Sequence, residues 1–255
     1  MTPAADHPPI THRFDRHECK YLLTEAQAVK VRQRLEPFLE FDPYARRSGG
    51  HYRIASLYLD SPTLKLHRET LEGIRNRQKL RIRTYSDDPE SPVFLEIKRR
   101  RNAVISKLRS PVTKLLAQTI IGQGDIGAID GPEVQARDDF ITWVRQHDAR
   151  PVVCVRYVRE AYMSTVDPDS RVTFDRRIEC NATDRVLLDG SGWVMVEPRR
   201  VVLELKFNGL CPSWMLDTIG ACQLRRTSYS KYSTSVIAAS KHGDLANSGL
   251  GTTSA

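Results

Sequence analysis

"VFLEIKRRR", residues 93–101, opens like a buried strand and ends in a run of cations. Side chains alternate along a strand. Val93, Leu95 and Ile97 therefore share one face, and Phe94, Glu96, Lys98 and Arg100 share the other. The flanking segments follow the same rule. "QKLRIRTY" (78–85) sets Lys79, Arg81, Arg83 and Tyr85 against Leu80 and Ile82. After a turn at Arg101-Asn102, residues 103–110 place Ile105, Lys107 and Arg109 together. An antiparallel sheet with one wet side normally shows mixed polar residues there. Here that side is a stripe of one charge. Lying flat, it would be a basic surface; curled, it would point its cations inward around an anion.

The triplet Glu96-Ile97-Lys98 is repeated as Glu18-Cys19-Lys20 and Glu204-Leu205-Lys206, each in a strand-like segment. With 13 Glu and 10 Lys in 255 residues, chance placement gives about 0.5 such triplets. Residues i and i+2 of a strand project from one face, ~6–7 Å apart. Three carboxylate–ammonium pairs on cationic strands suit metal-assisted phosphate handling. Lys and Arg would bind phosphate oxygens, and Glu would hold Mg²⁺ or Mn²⁺, hard cations that take oxygen ligands. Isolated surface pairs of this kind are decoration worth little.

The C-terminal half repeats the theme. A long strand at 151–164 puts Tyr157 and Arg159 on one face, and "RVTFDRRI" (171–178) aligns Arg171, Thr173 and Asp175. "GWVMVEP" (192–198) and "RVVLELKF" (200–207) are further strands, the latter with Leu203, Leu205 and Phe207 behind Glu204 and Lys206. Helices are expected after Thr24, whose Gln27 completes a capping box. Others are expected from Ser61-Pro62 to Gly73, on both sides of a Gly-rich loop within 111–148, and from Pro212.

Charged residues make up 27% and hydrophobic ones 40%, as in soluble globular domains. The net charge of +8, carried mostly by Arg, favours an oxyanion partner, because the guanidinium fork binds phosphate bidentately. Aromatics are only 7% and do not interleave with the basic faces, which argues against a nucleic-acid surface. No apolar run reaches the ~20 residues of a membrane span, and the first residues lack a signal-peptide core. Five Cys without a C-x-x-C pair predict free thiols, no zinc site and a cytoplasmic protein. The seven His lack metal spacing and are read as surface or packing residues. One domain is expected over residues 12–237, with flexible termini at 1–11 and 240–255.

Taken in order, "RHECKYLL", "SLYLDS", "KLRIRTY", "FLEIKRR" with "SKLR", "RYVREAY", "RVTFDRRI", "VVLELKF" and "SYSKY" resemble the VTC domain. This is the polyphosphate polymerase domain of the CYTH-like, triphosphate tunnel metalloenzyme superfamily. The resemblance implies an α+β fold: a closed, eight-stranded antiparallel β tunnel with helices packed outside. It implies catalytic phosphate contacts from Lys20, Arg81, Arg83, Lys98, Arg159 and Arg171. Further phosphate binding is implied for Lys107, Arg109, Lys206, Ser230 and Lys231. Glu204 is the first metal-ligand candidate, followed by Glu96 and Glu18, which could instead hold neighbouring Lys in place. The implied reaction is Mn²⁺- or Mg²⁺-dependent transfer of the ATP γ-phosphate to a growing polyphosphate chain. The same features suit hydrolysis of tripolyphosphate or a nucleoside triphosphate, or a non-catalytic polyphosphate-binding module.

Overall fold

The computed structural model describes residues 16–102, 104–122 and 134–242. The expected alternation at the opening stretch is realised as β5 (Val93–Arg101), with Val93, Leu95 and Ile97 buried. It lies between β4 (Arg77–Thr84) and β6 (Val104–Val112), antiparallel to both. The other long strands are β1 (Arg16–Leu23), β3 (Tyr52–Asp60), β7 (Arg150–Ser164), β8 (Arg171–Asn181) and β10 (Val201–Asn208). The short strands are β2 (Leu39–Phe41), β9 (Val194–Met195) and β11 (Arg226–Thr227). The hydrogen-bonded order is β11-β1-β10-β8-β7-β3-β4-β5-β6, with β2 on β7 and β9 on β8. Every pairing is antiparallel, and eight long strands form this path.

Seven α-helices accompany the sheet among the described residues. Outward Leu80, Ile82, Leu95 and Ile97 pack with Ala117 and Ile120 of α4 (Lys114–Ile121) and with Phe140 and Val144 of α5 (Val134–Gln146). At the other end, α1 (Glu25–Leu35) and α6 (Ser213–Ala221) cover Val172, Phe174, Leu203 and Leu205. Each such side chain contributes about 1.5–3 kcal/mol on burial. The apolar half of the alternation thus faces the helices and leaves the charged half facing inward. α7 (Lys231–Lys241) packs Tyr232, Val236 and Ala239 into the first of these cores. α2 (Pro43–Arg47) is a single turn.

Two expectations need correction. The ladder is not closed by hydrogen bonds: no pairing joins β6 to β1 or β11 among the described residues. Yet the sheet is strongly curled. β1 and β5 stand six steps apart in strand order, about 28 Å if flat. Lys98 Nζ nevertheless lies 2.7 Å from Glu18 Oε2. This pair spans the interior from β5 to β1, while edge strand β6 comes close to β1 without pairing to it.

The helix expected from Ser61-Pro62 begins later, as α3 (Lys65–Leu71). Buried Asp60 decides this. Its carboxylate accepts from the backbone N–H of Ser61, Leu66 and His67 and from Tyr232 Oη, so the first turn is fixed by Asp60. Gly73 (φ +70) ends the turn after α3, as read. The capping box at Thr24 and Gln27 is present. All five Cys are free. No helix among the described residues is long and apolar enough to cross a membrane. The expected flexible residues 1–11 and the Gly-rich loop around 123–133 lie outside the described residues, as does 243–255 of the expected flexible tail, whereas Ser240 and Lys241 of that tail are helical and end α7.

Candidate functional site

Glu96, in the middle of β5, is fully enclosed. Register sets it opposite Arg81 of β4 and Arg109 of β6. Arg81 Nε donates to Glu96 Oε2 at 2.7 Å, and its Nη2 lies 2.6 Å from the same oxygen. Lys107 Nζ is 2.5 Å from Oε1, with Arg109 at 3.5 Å; Arg83 approaches Oε2 at 3.9 Å. Burial alone would raise the carboxyl pKa. Lys107, Arg81, Arg83 and Arg109 override it and hold the group well below the usual range. Arg83 is itself held by Ser56 Oγ (3.1 Å) and Tyr157 Oη (3.2 Å). Arg109 stacks 3.6 Å above the Phe94 ring.

A second cluster surrounds Glu204 of β10. Lys206 Nζ lies 2.7 Å from Oε2, and Lys231 Nζ lies 3.1 Å from Oε1. Lys20 and Arg159 stand off at 3.8 Å each. Next to it, Asp175 accepts from Arg159 Nε and Nη2 at 2.6 and 2.7 Å and sits 2.6 Å from Lys231 Nζ. Burial opposes ionisation of both acids, and the surrounding cations hold both pKa values down. Glu18 joins the clusters: Oε2 meets Lys98 and Oε1 meets Lys20 at 3.2 Å. Lys20 also donates to the Tyr229 carbonyl (3.1 Å). Ser230 is the N-cap of α7, so that helix presents its N-terminus to the cavity.

The residues singled out from the sequence are thus brought together, with one partial exception. Arg171 lies at the start of β8, opposite Lys206 and one step beyond the Thr173–Glu204 pair. It has no ion pair among the described residues. Two further residues join the site. Asp175 shares the inward face of Arg171 and Thr173, a position that alternation already indicated. Lys79 stands opposite Lys98 and donates to Ser230 Oγ at 2.6 Å. No carboxylate lies within 4.0 Å of it among the described residues. Its two-residue offset from Arg81 was the available signal.

Across this face ten basic side chains meet four carboxylates, and burial with repulsion from neighbouring cations lowers the pKa of Lys79, Lys98, Lys107 and Lys206. Glu18, Glu96, Asp175 and Glu204 stand against Lys20, Lys79, Arg81, Arg83, Lys98 and the five already placed around Glu96, Glu204 and Asp175. Burying charge without compensation is expensive. The surplus suits an anion carrying several charges.

No group of three or more His, Cys, Asp or Glu among the described residues could hold a metal ion by itself. Glu18 and Glu204 do fit a shared cation, because the Lys20 ammonium already sits between them, 3.2 and 3.8 Å away. Two carboxylates completed by substrate phosphates are a usual Mg²⁺ arrangement. Glu96, ringed by four cations, suits a counter-ion better than a metal ligand.

The VTC domain family model matches residues 15–239. The chain belongs to the VTC domain family. This VTC domain is similar to solved structures at low identity. One is a candidate adenylate cyclase of Bacillus halodurans (12% identity, 85% of this chain and 95% of that one, TM-score 0.48). Another is the PH1819 protein of Pyrococcus horikoshii (12%, 86% and 96%, TM-score 0.43). A third is a candidate adenylate cyclase of Vibrio parahaemolyticus (11%, 88% and 98%, TM-score 0.44). A comparison with curated proteins finds no significant match. Membership of the VTC family supports an enzyme that binds triphosphate or polyphosphate chains.

Lys206 gives this VTC domain a pH signature. Burial pushes its ammonium pKa down to about 8, against the pull of Glu204. A lysine lowered in this way is charged below that pH and neutral above it. Tripolyphosphate affinity is therefore expected to fall as pH rises through 8, by up to about tenfold per unit for one linked proton. Calorimetric titration from pH 7 to 9.5 measures it. Lys107, pushed down to about 7 by burial, titrates in the same window, so Lys206→Arg, charged throughout, should remove the fall near pH 8 and leave the part near 7; an unchanged profile around pH 8 would remove Lys206 as a cause.

Proposed function

We propose that this VTC domain is a metal-dependent polyphosphate polymerase that moves the γ-phosphate of ATP onto the end of a growing polyphosphate chain. The observation that carries the reading is the set of ten basic side chains against four carboxylates on one inward face, four of whose lysines are held below their usual pKa until an anion joins them. A triphosphate in line with a chain end supplies the missing negative charge at several points, as a single phosphate does not.

In this reading Arg81, Arg83, Lys107 and Arg109 bind phosphate oxygens in place of part of their contact with Glu96. Lys20, Lys98, Lys206, Lys231 and Arg159 bind at the Glu204 end, with Ser230 and the α7 N-terminus. Arg171 adds a contact beyond Lys206. These groups hold donor and acceptor in line and stabilise charge as it shifts toward the leaving ADP, so catalysis is positioning and electrostatics. Glu204 and Glu18 would hold Mn²⁺ or Mg²⁺, which when bound neutralises phosphate oxygens.

The test is incubation with ATP and Mn²⁺, following ADP release and resolving polymer on gels. Polymer growing in step with ADP is the expected result. Release of inorganic phosphate without polymer would make the protein a triphosphate hydrolase. Tight tripolyphosphate binding without turnover would make it a binding module. Either outcome ends the polymerase reading.

A further inference from the structure

The inward cations do not stop at the Lys79–Lys98–Lys107 tier. Two residues further along the same faces of β4 and β5 stand Arg77 and Arg100, paired directly in register. That spacing is ~6–7 Å along the strand. Like charges directly opposite each other destabilise a sheet. No ion pair offsets them: among the described residues no carboxylate lies within 4.0 Å of either guanidinium. Arg77 Nη1 donates to the Ile74 carbonyl (2.6 Å), and Arg100 Nε donates to the Asn102 carbonyl (2.8 Å). Partial burial and then repulsion from Arg100 lower the Arg77 pKa, with only a weaker opposing pull from Glu69 of α3.

The outer face of the same hairpin is treated differently. Arg99, between Lys98 and Arg100, points outward and finds Asp139 of α5 at 3.5 Å and Gln78 Oε1 at 3.3 Å. Arg99 is thus offset by an acid of the covering helix, and the Arg77–Arg100 pair is not. From Lys79, which has no acid within 4.0 Å among the described residues, the uncompensated line continues to the half-buried Arg77–Arg100 pair at the strand ends.

We infer that Arg77 and Arg100 form an outer subsite for a linear polyphosphate, gripping the chain where it passes between the cavity and solvent. The inference rests on the functional reading above. It adds that phosphate units beyond those held inside lie across the β4–β5 end of the sheet. A triphosphate centred on Arg81, Arg83 and Glu204 leaves this pair for the units that follow.

The test compares wild type with the double variant Arg77→Ala/Arg100→Ala, titrated with tripolyphosphate and with a long polyphosphate at fixed ionic strength. Long-chain affinity is expected to fall by roughly tenfold or more, since two charge-assisted contacts are lost. Tripolyphosphate affinity should stay within about twofold, and Tm should hold or rise, because the variant removes a like-charge pair. If both ligands weaken equally, or neither does, the outer subsite is wrong and the functional reading stands. If wild type binds neither ligand, the functional reading falls and takes the subsite with it. If a single-stranded RNA of similar length competes as well as polyphosphate and loses equally in the variant, the assigned ligand class is wrong.

Discussion

Glu96→Gln is expected to lower the unfolding free energy of the ligand-free protein by about 3–5 kcal/mol, the usual cost of removing one partner from a buried ion cluster. Glu96 is fully enclosed and is the shared counter-ion of Arg81, Arg83, Lys107 and Arg109. Lys107 is 39% exposed and loses least. The two arginines of β4 stay buried without their acid. Tripolyphosphate should restore much of the loss, since phosphate oxygens take the place of the carboxylate, and ligand affinity should hold or increase. Urea denaturation with and without tripolyphosphate measures both effects. A metal-ligand role gives the opposite pattern: a small stability change and a collapse of Mn²⁺-dependent binding. That result would return Glu96 to the metal site.

Lys98→Ala is expected to lower the rate of phosphoryl transfer by about 10²–10³, the range seen when one preorganised electrostatic donor is lost from an active site. Lys98 is the hinge of the arrangement. It comes from β5, stands beside Lys79 and Lys107 in register, and reaches across the interior to Glu18 of β1. Glu18 keeps Lys20 when Lys98 is removed, so the fold should persist with a small change in Tm. Lys98→Arg keeps the charge but not the compact ammonium, and partial recovery is expected. Steady-state ADP release with excess ATP measures the rate. A value within tenfold of wild type would remove Lys98 from the transferring machinery.

Much of the candidate site was readable because strand alternation is local. In "VFLEIKRRR" each side chain's face follows from its position alone, so Leu95 and Ile97 could be sent to the helices and Glu96 and Lys98 to the other side. The Glu-x-Lys triplets worked for the same reason. Asp175 and Lys79 were on the correct faces in the same reading. They were passed over because nothing local distinguishes an acid that anchors Arg159 and Lys231, or a lysine with no acid near it, from ordinary strand charges. The late start of α3 was missed for a related reason. Pro62 is a local signal, whereas the partner of the Asp60 carboxylate includes Tyr232, 172 residues away.

By itself the sequence determined the strand faces and the cationic composition of one face, since these depend on neighbours one to four residues apart; the antiparallel α+β class came with the family resemblance. Only the tertiary structure decided which charges meet. It curled the sheet until Lys98 met Glu18, left β6 and β1 unpaired where hydrogen-bond closure was expected, and gave Glu96 four cations while leaving Arg77 and Arg100 without a close acid. Ion pairing falls off within a few ångströms and pays no regard to sequence distance, so its partners are fixed by how strands far apart in the chain are brought side by side.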